Sequence, residues 1–287
     1  MKGKLVLTYI GIFGAMVLLL SLMPEVRLTA WDPQFIVPCT ALLYTLLVYL
    51  SCRLVGTGGH VRDVSVTAIF ILLFLPGASK FLSLDETALM ELCSQCIVPF
   101  FIAQHSRTSQ SSFRRVHVLM LLMGIFCSYT HDGITIPLCA GFIWLAFLRR
   151  SEFFRMGCWP MVIGFVIGTT LSIWQALHDG RSTPPTNLHQ TISQTTQALQ
   201  IIWDTKITMI AVLLTAYLSA SRQGRRIIVE CFHQQTLLMC CAMFALCTLP
   251  FAPLGIDNAV TGVCFFGMYW VLILLKALFS RYMPYYS

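Results

Sequence analysis

Long apolar runs separated by short polar segments dominate the chain, and this alternation predicts membrane-spanning helices. Ten runs are long enough to cross, or nearly cross, a hydrocarbon core of about 30 Å. They cover roughly Leu5–Met23, Phe35–Cys52, Val64–Leu82, Thr87–Gln104, Val116–Tyr129, Ile134–Leu148, Cys158–Leu177, Ile207–Ala220, Thr236–Phe251 and Ala259–Phe279. We therefore predict an all-α, polytopic helical bundle of about ten transmembrane helices, nine to eleven, forming a single domain over residues 1–287.

The composition agrees with a membrane protein and excludes several soluble classes. Of the 287 residues, 57% are hydrophobic and 11% are charged, and the mean hydropathy is +0.76. These values are far from those of an ordinary soluble domain. The sequence contains no G-x-x-x-x-G-K-[ST], G-x-S-x-G, H-E-x-x-H or G-x-G-x-x-G motif, which argues against ATP-driven activity by this chain alone.

The basic residues predict an orientation. When the ten runs are threaded alternately with the N-terminus inside, fifteen of the nineteen Lys and Arg residues fall on the inner side. Cytoplasmic loops retain Lys and Arg, so both termini are predicted to be cytoplasmic. The net charge is +7. We interpret the basic residues that produce it as topology determinants that meet anionic headgroups. Membrane lipid is therefore an expected partner, and nucleic acid is not.

The first apolar run resembles a secretory signal, because Lys2 and Lys4 precede it. It is longer than the 7–15 residues typical of a signal core, and Ser21–Pro24 offers no small-x-small cleavage site. We therefore expect an uncleaved first helix.

Acidic residues collect on the opposite, outer side, which receives eight of the twelve. Asp32 lies between Trp31 and Pro33 in the first outer loop, and Asp257 follows a short predicted span. Each is a candidate for a direct role, and the alternative for each is a helix cap or a solvated loop acid.

The turn Tyr129–Gly133 contains His131 and Asp132, and its flanking runs are only fourteen or fifteen residues long. That is near 22 Å of helix at about 1.5 Å per residue, against about 30 Å of hydrocarbon. If both helices start at the inner surface, the turn lies below the outer surface, where irregular backbone must line a cavity or be buried in protein. Such a recess suits a general base or cation ligand. The alternative is local bilayer thinning around an ordinary exposed turn.

Glu91 and Gln95 are one helical turn apart on the fourth predicted span. An ionisable group in hydrocarbon usually faces a bundle interior or a watery cavity, so Glu91 is a secondary site candidate. The alternative is that Glu91 belongs to a juxtamembrane stretch. The nearby Cys93 and Cys96 form a C-x-x-C pair, which is redox-active or metal-binding in some proteins and a pair of small buried hydrophobes in others.

The outer segment from about residue 178 to residue 200 predicts a short amphipathic helix on the outer surface, with Asn187 or Thr186 as its cap. Arg181 precedes it and is a candidate ligand for a lipid-linked phosphate, because Arg pairs with phosphate bidentately. The alternative is a helix that only seals the bundle.

Two stretches carry a family resemblance. Tyr129–Pro137 contains a T-H-D-G turn, and Met161–Leu171 contains I-G-F-V-I-G-T, followed by Arg181. Over about residues 116–181, with a fainter echo at 257–267, the chain resembles bacterial polytopic proteins that look like GT-C-type glycosyltransferases. The resemblance implies transfer of a sugar from a polyprenyl-phosphate donor to a glycan acceptor at the outer face of the bacterial cytoplasmic (inner) membrane.

The resemblance also implies that the acid in the first outer loop is catalytic. Asp32 occupies that loop, with His131 and Asp132 completing an acidic recess, Arg181 binding the donor phosphate, and Asp257 and Glu91 as further substrate-binding candidates. The sequence assigns no cofactor, metal or oligomeric state. Two other hypotheses stay open: a transporter or flippase for a lipid-linked glycan, and a non-catalytic structural or immunity-type membrane protein.

Overall fold

All regular secondary structure that the computed structural model describes is α-helical. It describes residues 2–22, 33–57, 59–76, 82, 89, 91–93, 95–96, 99–100, 114–128, 132–148, 159–178, 187–248 and 256–282. Its helices are α1 (Lys2–Leu22), α2 (Pro33–Val55), α3 (Val61–Phe74), α4 (Arg114–Ser128), α5 (Asp132–Leu148), α6 (Trp159–His178), α7 (Leu188–Asp204), α8 (Lys206–Ala220), α9 (Arg222–Gln234), α10 (Thr236–Thr248) and α11 (Ile256–Tyr282). The described residues between 82 and 100 are also helical.

The chain divides into two compact units. The N-terminal unit comprises Met1–Ala103 together with Leu278–Ser287, and the C-terminal unit comprises Gln104–Ala277. Helices α1 to α3 therefore belong to the N-terminal unit, and α4 to α10 with most of α11 belong to the C-terminal unit.

Three of the described helices are long and apolar enough to cross a membrane: Gly3–Leu22, Gln34–Val55 and Ala259–Phe279. Two bent pairs, α7 with α8 at 82° and α9 with α10 at 94°, raise the number to five if each pair is one span. These lengths and compositions indicate an integral membrane protein. The described part of the chain has fewer helices of this length than the ten predicted runs, because several apolar runs form helices of only 13 to 17 residues or turn sharply. The count of about ten for the whole chain stays a prediction.

Side chains hold the N-terminal unit together. Tyr9, near the start of α1, contacts Tyr49, near the end of α2, with ring centroids 5.6 Å apart, so the two helices are antiparallel. The Tyr44 hydroxyl donates to the Ala68 carbonyl oxygen at 2.5 Å and joins α2 to α3. Leu47 and Ile71 are completely buried between these contacts. Tyrosine side chains therefore make the main described contacts between these three helices.

Close backbone contact at glycine characterises the C-terminal unit. A Cβ added at Gly124 on α4 would lie 2.7 Å from the Met161 carbonyl oxygen on α6, and a Cβ at Gly164 would overlap the Leu121 carbonyl oxygen. At the start of the same pair, His117 stacks on Trp159 with centroids 6.3 Å apart. The contacts advance together along both chains, so α4 and α6 run parallel, as alternate threading predicts for the fifth and seventh spans.

Helices α8 and α11 are also parallel. Thr205 and Thr208 lie against Cys264, with Oγ1 to Sγ distances of 3.5 and 4.0 Å, and the Trp270 indole nitrogen donates to the Thr215 hydroxyl at 3.0 Å. This direction is the one predicted for the eighth and tenth spans.

Helices α5 and α10 also pack at a glycine. A Cβ at Gly141 would lie 2.7 Å from the Cys241 sulfur, and Trp144 contacts Phe244 with ring centroids 6.3 Å apart. The axes of α9 and α10 differ by 94°, so α10 does not continue the path of α9.

Candidate functional site

Helix α5 begins at Asp132, so this residue is in the first turn of a helix and not in the middle of a loop. The sequence predicts a turn over Tyr129–Gly133, whereas Asp132 and Gly133 are helical and residues 129–131 lie outside the described residues. The N-terminus of a helix carries a partial positive charge, and a carboxylate in the first turn is stabilised in its ionised form.

The start of α5 lies against the second turn of α11. A Cβ added at Gly262 would overlap the carbonyl oxygen of Gly133, so the two backbones meet without an intervening side chain. Only glycine at position 262 leaves room for this approach. The contact fixes where the first turn of α5 is placed within the C-terminal unit.

Asp257 is the second residue of α11, which begins at Ile256. The predicted loop through Asn258 is thus shorter, and Asp257 is in the first turn of a helix, like Asp132. Asp257 precedes Gly262 by five residues, or about 7.5 Å of helix, and Asp132 adjoins Gly133. The Cα atoms of the two acids are therefore at most about 18 Å apart. Two acid-bearing helix starts converge here.

The end of α7 reaches the same part of α11. Thr205, which follows α7, has its hydroxyl beside the Cys264 sulfur at 3.5 Å and also donates to the Ile202 carbonyl oxygen. Cys264 is two helical turns beyond Asp257. The first three turns of α11 thus contact both the start of α5 and the junction between α7 and α8.

Helix α7 covers Leu188–Asp204, within and beyond the segment predicted at 178–200, and the outer location of this segment stays a prediction. Leu188, Ile192 and Leu199 share one face and are 79%, 58% and 51% exposed. Ala198 and Ile202 are buried on a neighbouring face. The predicted cap is only half right: Asn187 occupies the N-cap position, but its side chain makes no capping hydrogen bond, and Thr186 lies outside the described residues.

Gln194 is a polar residue on the protein-facing side of α7 that sequence reasoning missed. Its side-chain oxygen is buried and has no hydrogen-bond partner among the described residues. An amide oxygen in this state costs free energy unless a donor reaches it. A hydroxyl group of a bound molecule is one such donor.

Most of the other predicted site residues cannot be placed. Asp32, His131 and Arg181 lie outside the described residues, so their proximity to Asp132 stays a prediction. Glu91 is helical, half-buried and in the N-terminal unit. Its proposed role in substrate binding is untested.

The surroundings of Glu91 favour a structural interpretation for two of its neighbours. Gln95 is buried, and its amide nitrogen donates to the Pro76 carbonyl oxygen at 2.9 Å. The Cys96 thiol donates to the Leu43 carbonyl oxygen at 3.2 Å. Both groups are satisfied by backbone, and no cluster of three or more His, Cys, Asp or Glu that could hold a metal occurs in the described part of the chain. Cys96 thus behaves as a small buried hydrophobe, and Cys93 is half-buried.

The residues that build the convergence were not singled out by sequence reasoning. Gly133, Gly262, Thr205 and Cys264 carry no catalytic signature, and their importance depends on a contact between segments far apart in sequence. The available signal was a glycine inside an apolar helix, which often marks close helix packing. It does not indicate which helix is the partner.

Comparison of the chain with protein-family models, with curated proteins and with solved structures finds no match.

Proposed function

We propose that this multi-pass membrane protein is a GT-C-like glycosyltransferase that acts on a polyprenyl-phosphate-linked sugar at the outer face of the membrane. The observation that carries the proposal is the contact between Gly133 and Gly262. It brings Asp132 and Asp257, both predicted on the outer side, to neighbouring helix starts. Transfer of a sugar needs a group that takes the proton from the acceptor hydroxyl as the bond to the donor phosphate breaks.

In this proposal Asp132 is the base or an acidic ligand, and Asp257 orients the acceptor or the sugar. Both acids belong to the first turn of a helix, a position where negative charge is favourable. His131 adds to this acidic site, and Arg181 binds the donor phosphate. Asp32 as a catalytic acid and Glu91 as a substrate contact are further candidates, and both belong to the N-terminal unit. These four assignments come from the sequence alone.

The exposed apolar face of α7 supports a lipid-linked donor. Leu188, Ile192 and Leu199 form a continuous exposed stripe on a helix that ends beside the same turns of α11. Such a stripe lies naturally at the boundary between headgroups and acyl chains, where a prenyl chain is anchored. The buried oxygen of Gln194 is available to accept a hydrogen bond from a sugar hydroxyl.

The test is transfer in proteoliposomes that contain the purified full-length protein. Synthetic polyprenyl-phosphate hexoses with a labelled sugar serve as donors, and envelope glycans serve as acceptors. Asp132→Asn and Asp257→Asn should each lower transfer at least about 100-fold, the range for loss of a general base. Asp63→Asn is the matched control, because Asp63 is predicted on the inner side and lies in the N-terminal unit, and it should keep full activity.

Two outcomes would overturn the proposal. One is transfer that persists in both the Asp132 and the Asp257 variants. The other is movement of the labelled donor between leaflets without formation of a glycosidic bond, which would favour the flippase hypothesis. Asp32→Asn and His131→Ala in the same assay test the parts of the site that the sequence alone predicts.

A further inference from the structure

Helix α9 combines three exposed arginines with exposed apolar side chains. Arg222, Arg225 and Arg226 all point outward. Val229 and Phe232 are 54% and 43% exposed and lie on the same side of the helix. At 100° per residue, Arg225 falls between these two apolar residues when the helix is viewed end-on. A face that mixes cations and apolar groups in this way fits the interface between lipid headgroups and acyl chains.

The opposite face of α9 is fixed to the protein. Gly224, Ile227 and Cys231 are buried along it. A Cβ at Gly224 would overlap the Leu218 carbonyl oxygen, so the start of α9 is pressed against the end of α8. The Gly224 amide also donates to the Ser221 hydroxyl at 2.8 Å. These contacts leave the helix little freedom to rotate about its axis, and the arginines stay on the outside.

The far end of α9 contacts the second half of α11. Phe232 packs edge-on against Trp270 with ring centroids 5.3 Å apart. Cys231 interacts electrostatically with Lys276. Burial raises the pKa of the Cys231 thiol, with a smaller rise from Glu230 and an opposing effect of Lys276. Lys276 adds a fourth cation to this region, and it belongs to the end of α11 predicted to be cytoplasmic.

The orientation of α9 follows from the bend that joins it to α10. The two helix axes differ by 94°, so if α10 runs across the membrane, α9 lies in the plane of its surface. We infer that α9 is an interfacial helix that binds the phosphate groups of anionic phospholipids in the inner leaflet through Arg222, Arg225 and Arg226. Val229 and Phe232 insert among the upper acyl segments. Glu230 is the only acidic residue of the helix, so the face keeps a net positive charge. The inference does not depend on the sugar chemistry proposed above.

The experiment compares binding of two lipids by the purified full-length protein. The protein in neutral detergent is mixed with equal amounts of phosphatidylglycerol and phosphatidylcholine that carry the same acyl chains. Retained lipid is then counted by native mass spectrometry. We expect wild-type protein to prefer phosphatidylglycerol by about 10- to 100-fold, since each basic residue near an anionic surface contributes about a factor of five. The preference should fall steeply between low and high salt.

The variant Arg222→Gln/Arg225→Gln/Arg226→Gln should reduce the preference to less than about 3-fold. The control Lys4→Gln/Arg62→Gln/Lys206→Gln removes the same charge from three exposed residues elsewhere and should keep it. The charge-preserving variant Arg222→Lys/Arg225→Lys/Arg226→Lys should also keep the preference for phosphatidylglycerol. This variant tests the inference even if the Gln variant fails to insert into the membrane.

Three results would overturn the inference. The first is no preference for phosphatidylglycerol in wild-type protein, and the second is a preference that salt does not change. The third is an equal loss in the control variant, which would show a general effect of net charge. If inorganic phosphate at millimolar concentration abolishes the preference completely, the site binds free anion and not a lipid headgroup.

Discussion

Within each of the two units, helices pack together through a different kind of contact. In the N-terminal unit Gly3, Gly11, Gly14 and Gly59 have nothing within 4 Å of an added Cβ, as is also true of Gly267 in the C-terminal unit. Contact between helices of the N-terminal unit is made by tyrosine and threonine side chains. In the C-terminal unit Gly124, Gly141, Gly164 and Gly262 each place one backbone directly against another segment.

This difference indicates which substitutions each unit tolerates. Close backbone approach gains van der Waals contact that lipid cannot replace, but it leaves no room for a methyl group. Contacts through long side chains are individually adjustable, because neighbouring rotamers can move. The C-terminal unit is therefore the less tolerant of the two, and the candidate site depends on it.

The largest expected effect comes from filling a glycine at the α4–α6 contact. Gly164→Leu should lower the free energy of unfolding by about 3 kcal/mol or more, because its side chain has to displace the Leu121 backbone. Gly14→Leu is the matched control in α1 and should change stability by less than about 0.5 kcal/mol. Both are measured by SDS titration of the purified protein. An equally large loss at Gly14 would show that the exposed face of α1 is covered in the membrane.

The next effect is at Gly141, where the obstacle is a side chain. An added Cβ would lie 2.7 Å from the Cys241 sulfur, so Gly141→Ala should cost about 1–2 kcal/mol. Cys241→Ala in the same chain removes that sulfur and should restore part of the loss. Strictly additive losses in the double variant would mean that the two residues do not touch.

A smaller effect tests the N-terminal unit. Tyr44→Phe removes the hydrogen bond from the Tyr44 hydroxyl to the Ala68 carbonyl oxygen and should cost about 1 kcal/mol. Tyr49→Phe makes the same chemical change on a ring that is 43% exposed and should cost much less. If the two variants lose equal stability, the buried hydrogen bond of Tyr44 does not contribute to the stability of this unit.

The smallest effect is expected at the loop after α2. Thr57→Val breaks a 3.5 Å contact between the Thr57 and Thr67 hydroxyls, which is too long to be strong. We expect a loss below about 0.5 kcal/mol. A loss above about 1 kcal/mol would show that this polar contact, and not Tyr44, organises the turn between α2 and α3.

The fold class could be predicted from the sequence because hydropathy reports helices directly. The amphipathic outer segment was also predictable, since Leu188, Ile192 and Leu199 recur at helical spacing. The number of spans was not, because a run such as Thr236–Phe251 has the composition of a span while its helix is only thirteen residues long. Hydropathy does not report the sharp bends before α8 and α10.

The candidate site was predicted only as separate residues. Asp132 and Asp257 were singled out by their position in outer loops, and the structure gives both a place at a helix start. Their convergence depends on Gly133 and Gly262, whose meeting is a tertiary contact that no local pattern encodes. The glycine-rich stretch Met161–Leu171 suggested a functional motif, and the structure gives its Gly164 a packing role against α4.

The contact between Gly133 and Gly262 has a consequence for biosynthesis. Roughly 130 residues separate its two halves, so at 5–20 residues per second the start of α5 exists for on the order of ten seconds before its partner is made. During this time the first turn of α5 faces lipid, water or the insertion machinery. Synthesis of α11 therefore completes this contact, and a nascent chain that stops before α11 could insert α5 but could not yet bring the two helix starts together.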